Sequence, residues 1–181
     1  MALFDIDTFK DACIKAVEDD PSHRSVYGIM QEAFKDTAAI ESAFGTPSEG
    51  GAFPLHVSGA LTIANVVWQP GMSVPPHNHN MWAVIGVYHG REDNIFWQRV
   101  RGDKDDRIKA VGAEALLPGD VTPLGKDIIH SVINPIPKFS AAIHVYGGNF
   151  FEQERSEWDP ETLIGGTYDV EKSLSRFTEE S

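Results

Sequence analysis

The apolar residues of this chain follow two different periods. Between residues 5 and 19, Phe9, Ala12, Cys13, Ala16 and Val17 recur at helical spacing. They predict a helix with one apolar stripe, with Asp5 or Asp7 placed to cap it. Asp20-Pro21-Ser22 breaks this helix, and Ile29, Ala33, Phe34 and Ile40 predict a second one over about 25–44. Gly45-Thr46-Pro47 ends it. From residue 55 the period shortens. Leu55–Ser58, Leu61–Trp68, Met81–Tyr88, Asn94–Val100, Ile108–Val111, Ala115–Leu117, Val132-Ile133 and Ser140–Tyr146 are short apolar, β-branched or aromatic runs. Turn residues such as Gln69-Pro70-Gly71, Pro118-Gly119 and Asn134-Pro135 punctuate them. Short strands at this spacing predict a sandwich or barrel. The charged stretch Arg101–Lys109 reads as a solvated hairpin tip. Beyond Phe150 the strand pattern stops, leaving a polar loop around Trp158 and a short helix over Val170–Phe177.

These elements fit one domain across 1–181: helices over 1–45, a barrel over 53–151 and an extension over 152–181. The formal net charge of −12 argues against nucleic acid or an anionic membrane as partner, because both select basic patches. No run reaches the length of a membrane-spanning helix. The first residues carry no basic region followed by an apolar core, so a cytoplasmic location is the expectation. Cys13 is the only cysteine and offers no intrachain disulfide, in keeping with a reducing compartment. It reads as a buried thiol.

The candidate chemistry is concentrated in histidines. Pro75-Pro76-His77-Asn78-His79 lies between two strands, and residues two apart on extended backbone share a face. Two imidazoles placed in this way can hold one metal ion, although turn histidines exposed to solvent would give the same pattern. His130 sits in a second apolar run after the Pro118-Gly119-Asp120 turn. His144 and Tyr146 share one face of the following strand, where a core histidine and tyrosine bonded to backbone are the alternative. Three neutral imidazoles would leave open positions on a metal, and iron, zinc, nickel, manganese and copper are all compatible with that set.

Gly71, His77, His79 and Gly90, followed by Pro118-Gly119, His130 and Asn134, resemble the two motifs of the cupin superfamily. The family's glutamate ligand is absent, its place falling at Ala83 or Val84. The resemblance implies a mainly β double-stranded β-helix, the cupin jelly roll, carrying two N-terminal helices and a short C-terminal extension. The order His77, His79, His130, His144, Tyr146 further resembles the thiol dioxygenases, the cysteine and 3-mercaptopropionate dioxygenase group. Trp68 and Trp82-Ala83-Val84-Ile85-Gly86 add to that likeness. It implies Fe(II) held by His77, His79 and His130, with a small thiol and dioxygen as substrates and a sulfinic acid as product. Tyr146 would hydrogen-bond to bound oxygen, tuned by His144.

Three positions depart from that pattern. Ala142 stands where the group has serine, and no cysteine lies near the first motif to cross-link a tyrosine. Between Phe53 and Gly71 there is no arginine or lysine to clamp a substrate carboxylate, which leaves His56 as the candidate there. The competing readings are a zinc- or manganese-dependent cupin isomerase or hydrolase, and a cupin that binds metal or a small ligand without turnover. Oligomeric state has no signature in the sequence.

Overall fold

The computed structural model describes residues 3–177; residues 1–2 and 178–181 of the expected domain lie outside this range. Three helices come first, α1 (Ile6–Asp19), α2 (His23–Ala33) and α3 (Thr37–Phe44). Asp5 caps α1 by accepting from the Thr8 amide at 2.7 Å. The single helix expected over 25–44 is two helices. At the break, the Asp36 carboxylate accepts from the Ala39 amide at 3.1 Å, so Asp36 starts a new helix instead of continuing the old one.

Eleven strands follow among the described residues: β1 (Gly51–Val57), β2 (Thr62–Trp68), β3 (Ser73–Asn78), β4 (Ala83–His89), β5 (Glu92–Arg99), β6 (Ile108–Leu116), β7 (Val121–Leu124), β8 (Ile129–Ile133), β9 (Ser140–Tyr146), β10 (Ser156–Trp158) and β11 (Gly165–Thr167), before a last helix α4 (Val170–Ser175). They form two antiparallel sheets, ordered β1-β2-β9-β4-β7 and β11-β10-β3-β8-β5-β6. This is a double-stranded β-helix with helices at its N-terminus.

The five-stranded sheet is covered on both faces. Ile63, Val67, Val84, Ile143 and Val145 point outward and pack with Phe9, Cys13, Met30, Phe34 and Ile40 of the helical layer. The alternate positions Ala64, Val66 and Trp68 of β2, Ala83 and Ile85 of β4, and Ala142 and Tyr146 of β9 point inward. Double coverage explains why β2 and β9 read as unbroken apolar runs rather than alternating ones. Gly86 lies under the Phe34 ring, where a Cβ would come within 2.5 Å of it, so only glycine admits the helix at that spot. Cys13 is buried in this layer, and burial pushes its thiol up to about 12, which makes it inert.

Two features differ from the sequence-based expectation. The segment after residue 152 is not merely packed on the outside, because β10 and β11 extend the six-stranded sheet, with Glu157 opposite His77. Trp82, expected to be largely buried within a strand because its neighbours are apolar, precedes β4 and is only half-buried, its indole N–H donating to the Pro21 carbonyl at 2.9 Å. Among the described residues no helix is long and apolar enough to cross a membrane.

Candidate metal centre and its pocket

His77 and His130 are cross-strand partners on β3 and β8, and cross-strand partners present their side chains on the same face. Pro75 and Pro76 lack amide hydrogens and sit where the β3–β8 register shifts. That irregularity delivers His77 to the interior. His79 follows the end of β3, and Asn80 then takes a left-handed conformation, φ 54°. The short segment is tied down by asparagines. Asn78 Oδ1 accepts from the Ser156 amide at 2.8 Å, and Asn80 Nδ2 donates to the Glu154 carbonyl at 2.9 Å. The C-terminal extension therefore holds the His-x-His turn in place.

The three rings converge. His79 Nε2 lies 3.2 Å from His77 Nε2 and 3.2 Å from His130 Nε2, and one ligand atom from each of the three lies within 4.8 Å of the others. Tautomers follow from the opposite ring nitrogens. His77 Nδ1 donates to the Pro75 carbonyl at 2.9 Å and His130 Nδ1 to Asn94 Oδ1 at 2.7 Å. Both Nε2 atoms therefore carry lone pairs directed at one point. Burial holds His77 down to about 4, and His79 and His130 well below the ordinary histidine value, the latter two also through repulsion from neighbouring histidines. Neutral imidazoles are what a metal needs, and lone pairs this close repel unless a cation lies between them. A cation roughly 2.1 Å from each nitrogen would space them about 3.0–3.4 Å apart, matching the separations found. The residues fit a metal ion bound by three histidines.

The pocket above the centre is apolar. Ala64 and Val66 of the five-stranded sheet, Val74 and Val132 of the six-stranded sheet, and Phe150, Tyr168, Leu174 and Phe177 of the C-terminal segment line it. His144 and Tyr146 also line it. Tyr146 is 4% exposed, its ring 5.1 Å from the His79 ring and stacked 4.1 Å from Phe150. Its hydroxyl lies 2.9 Å from His144 Nδ1, and burial pushes the phenol far above its ordinary value. The structure thus gathers His77, His79, His130, His144 and Tyr146 around one cavity.

His56 is not brought there. The β1–β2 register shifts between Pro54 and His56, which places His56 opposite Ile63 on the helix-covered face of the sheet. The one-residue slip reverses the side that its ring faces.

Two buried charged residues that contact the pocket's lining residues were not singled out in the sequence. Arg155, 5% exposed, has its guanidinium 4.0 Å over the Phe150 ring and 4.1 Å over the Tyr168 ring. Nη1 donates to the Phe150 and Gln153 carbonyls, while Nε and Nη2 are buried with no hydrogen-bond partner among the described residues. Its charge is felt at His77 and His79, whose protonation it opposes. In the sequence it belonged to a polar loop, and nothing local marked it. Glu92, 1% exposed, accepts from Trp68 Nε1 at 3.0 Å and Asn94 Nδ2 at 3.0 Å and faces His144 Nε2 at 3.4 Å. The alternation Glu92, Asn94, Phe96 could have revealed it, but Arg91 and Asp93 made the stretch look like a solvated surface.

No family model matches the chain. Solved structures that resemble it include a deletion mutant of Bacillus subtilis oxalate decarboxylase, 18% identical with a TM-score of 0.45 over 60% of this chain and 28% of that one. An RmlC-like cupin family protein with a double-stranded β-helix fold from Methanocaldococcus jannaschii is 11% identical, with a TM-score of 0.46 over 59% of this chain and 88% of that one. A protein with a double-stranded β-helix domain from Klebsiella pneumoniae is 14% identical, with a TM-score of 0.41 over 71% and 93%. The chain spans 28% of the length of the decarboxylase it matches.

Proposed function

We propose that this protein is a metal-dependent cupin and, more specifically, a non-haem Fe(II) dioxygenase that converts a small carboxylated thiol to its sulfinic acid. The observation that carries this reading is the buried Tyr146–His144 pair beside three neutral histidines in an apolar pocket. Ferrous iron held by His77, His79 and His130 would supply neighbouring positions for sulfur and dioxygen and the electron transfer that joins them. In the reaction, RS⁻ and O₂ give RSO₂⁻, so no further reductant is consumed.

The chain's own residues do the rest. Val66, Val74, Val132 and Phe177 exclude water, which strengthens each electrostatic contact made inside. Tyr146 is placed to hydrogen-bond to negative charge growing on oxygen as the S–O bonds form, an interaction that lowers the barrier more than it aids binding. Arg155 supplies the cation missing before the first motif. Nε and Nη2 share one edge of the guanidinium, the edge that can take a carboxylate through two parallel hydrogen bonds. A buried guanidinium with that edge unpaired is costly, and an anionic substrate would relieve the cost.

The test is oxygen uptake by iron-loaded protein with a panel of thiols, together with metal analysis of the wild type and His79→Ala. Stoichiometric sulfinate formation and loss of bound iron in the variant are expected. Zinc-dependent hydrolysis or isomerisation without oxygen uptake would overturn the dioxygenase reading, and full iron occupancy in His79→Ala would overturn the ligand assignment.

A further inference from the structure

Glu92 is a carboxylate without a role in the chemistry above, although it lies behind the whole site. It opens β5, and its two oxygens meet the indole of Trp68, the side-chain amide of Asn94 and the imidazole of His144. Oε2 accepts from Trp68 Nε1 at 3.0 Å, and an indole nitrogen can only donate. Oε1 accepts from Asn94 Nδ2 at 3.0 Å. The orientation of that amide is set by its other end, since Asn94 Oδ1 takes the Nδ1 hydrogen of His130 at 2.7 Å. Each oxygen of Glu92 thus already accepts one hydrogen bond from a nitrogen that can only donate, as an ionised carboxylate does. The third contact is His144 Nε2, 3.4 Å from Oε2. This pair is within ion-pair distance but lacks good hydrogen-bond geometry, and Nε2 has no other partner among the described residues.

We infer that Glu92 is the positioning residue that sets the direction of the His144–Tyr146 hydrogen bond, making Tyr146 the acceptor of the substrate thiol's proton. An acceptor-only carboxylate facing Nε2 favours the imidazole tautomer with hydrogen on Nε2. Nδ1 then carries the lone pair, so across 2.9 Å the Tyr146 hydroxyl donates to His144. The phenol oxygen is left with lone pairs toward the pocket. When a thiol enters, its S–H bond breaks and a new O–H bond forms on Tyr146. The old O–H bond breaks, and an N–H bond forms on His144 Nδ1. Nothing is oxidised or reduced, and the net change is a thiolate and an imidazolium beside Glu92. The same transfer reverses the hydrogen bond. His144 now donates to Tyr146, and the Tyr146 hydroxyl hydrogen points into the pocket, where charge on oxygen will grow. Ala142 carries no hydroxyl, and the carboxylate that meets the far nitrogen of His144 comes from the opposite sheet.

The tautomer is independent of turnover, and the thiol step rests on the dioxygenase reading. The test is therefore ¹⁵N NMR of His144 in zinc-loaded protein, read alongside iron-dependent kinetics, for wild type, Glu92→Gln and Glu92→Asp. Wild type and Glu92→Asp should show hydrogen on Nε2 and a bare Nδ1. Glu92→Gln should shift population to the other tautomer and lower kcat on the order of 10²-fold, the range of losing one positioned acid–base group, with KM changed less than about threefold. Glu92→Asp should recover at least about a tenth of wild-type kcat. Hydrogen on Nδ1 in the wild type, or a Glu92→Gln tautomer identical to wild type, would overturn the inference even if every variant oxidises thiols. If Glu92→Gln does not fold, the wild-type and Glu92→Asp spectra decide alone. The expected tautomers in a protein that oxidises no thiol would leave Glu92 as the positioning residue and overturn the dioxygenase reading.

Discussion

Replacing Arg155 by Met should separate substrate binding from stability, because the two respond to the guanidinium in opposite ways. Without substrate, the change removes two cation–π contacts, each about 0.5–2 kcal/mol, and the charged hydrogen bonds to the Phe150 and Gln153 carbonyls, about 1.5–3 kcal/mol each. It also removes the burden of a buried cation whose Nε and Nη2 are unpaired, a penalty of several kcal/mol. These terms offset, and unfolding free energy in urea should move by no more than about 2 kcal/mol in either direction. With a carboxylated thiol in place, the lost partner of a buried charge pair costs about 2–5 kcal/mol, which is roughly 30- to 5,000-fold in kcat/KM. Arg155→Lys keeps the charge but not the fork and should fall between the wild type and Met. The assay is oxygen consumption with matched thiols that differ only in carrying a carboxylate. A thiol without one should lose less than about threefold. Equal losses for both thiols, or no loss for either, would refute the clamp. A stability drop beyond about 4 kcal/mol would show that Arg155 is a structural staple rather than a cation waiting for an anion.

Other expectations follow from the same geometry. Tyr146→Phe keeps the ring stacked on Phe150 and should bind metal normally, measured by metal analysis, while turnover falls about 10²-fold or more. Trp68→Ala should destabilise by roughly 3–5 kcal/mol in denaturant titration, since Trp68 is 4% exposed and also holds Glu92; the half-buried Trp82 should cost less. In metal-free protein His77 is held down to about 4 in the fold and titrates near 6.5 when unfolded. The unfolded chain therefore binds the extra proton first, so the stability this histidine contributes is present above pH 6.5 and is lost as pH falls toward 4, by about 1.4 kcal/mol per pH unit. Urea titrations at pH 7.5, 5.5 and 4.5 should show that decline, and an acid-insensitive midpoint would contradict it.

What the sequence alone determined is what local pattern can encode. The change from helical to alternating period separated the N-terminal helices from the strands, because side-chain direction follows backbone period. The His-x-His pair, His130 and the His144–Tyr146 pair were legible because candidate metal ligands and strand-mates repeat at fixed spacing. Where patterns are local but ambiguous, tertiary structure decided. Asp36 could have sat inside a helix or begun one, and it begins one because its side chain caps α3. His56 lay an even number of residues from inward positions, yet a bulge that only strand pairing reveals sends it to the outer face. Arg155 lay beyond sequence reasoning altogether, and the alternation that could have revealed Glu92 was masked by its charged neighbours. A lone arginine in a polar loop and a glutamate between Arg91 and Asp93 look like solvated surface. The roles proposed for them depend on the C-terminal segment folding back over the barrel mouth and on β5 turning alternate residues inward. Burial, which no local pattern reports for a charged side chain, is what converts each of them from a solvated charge into a directed one.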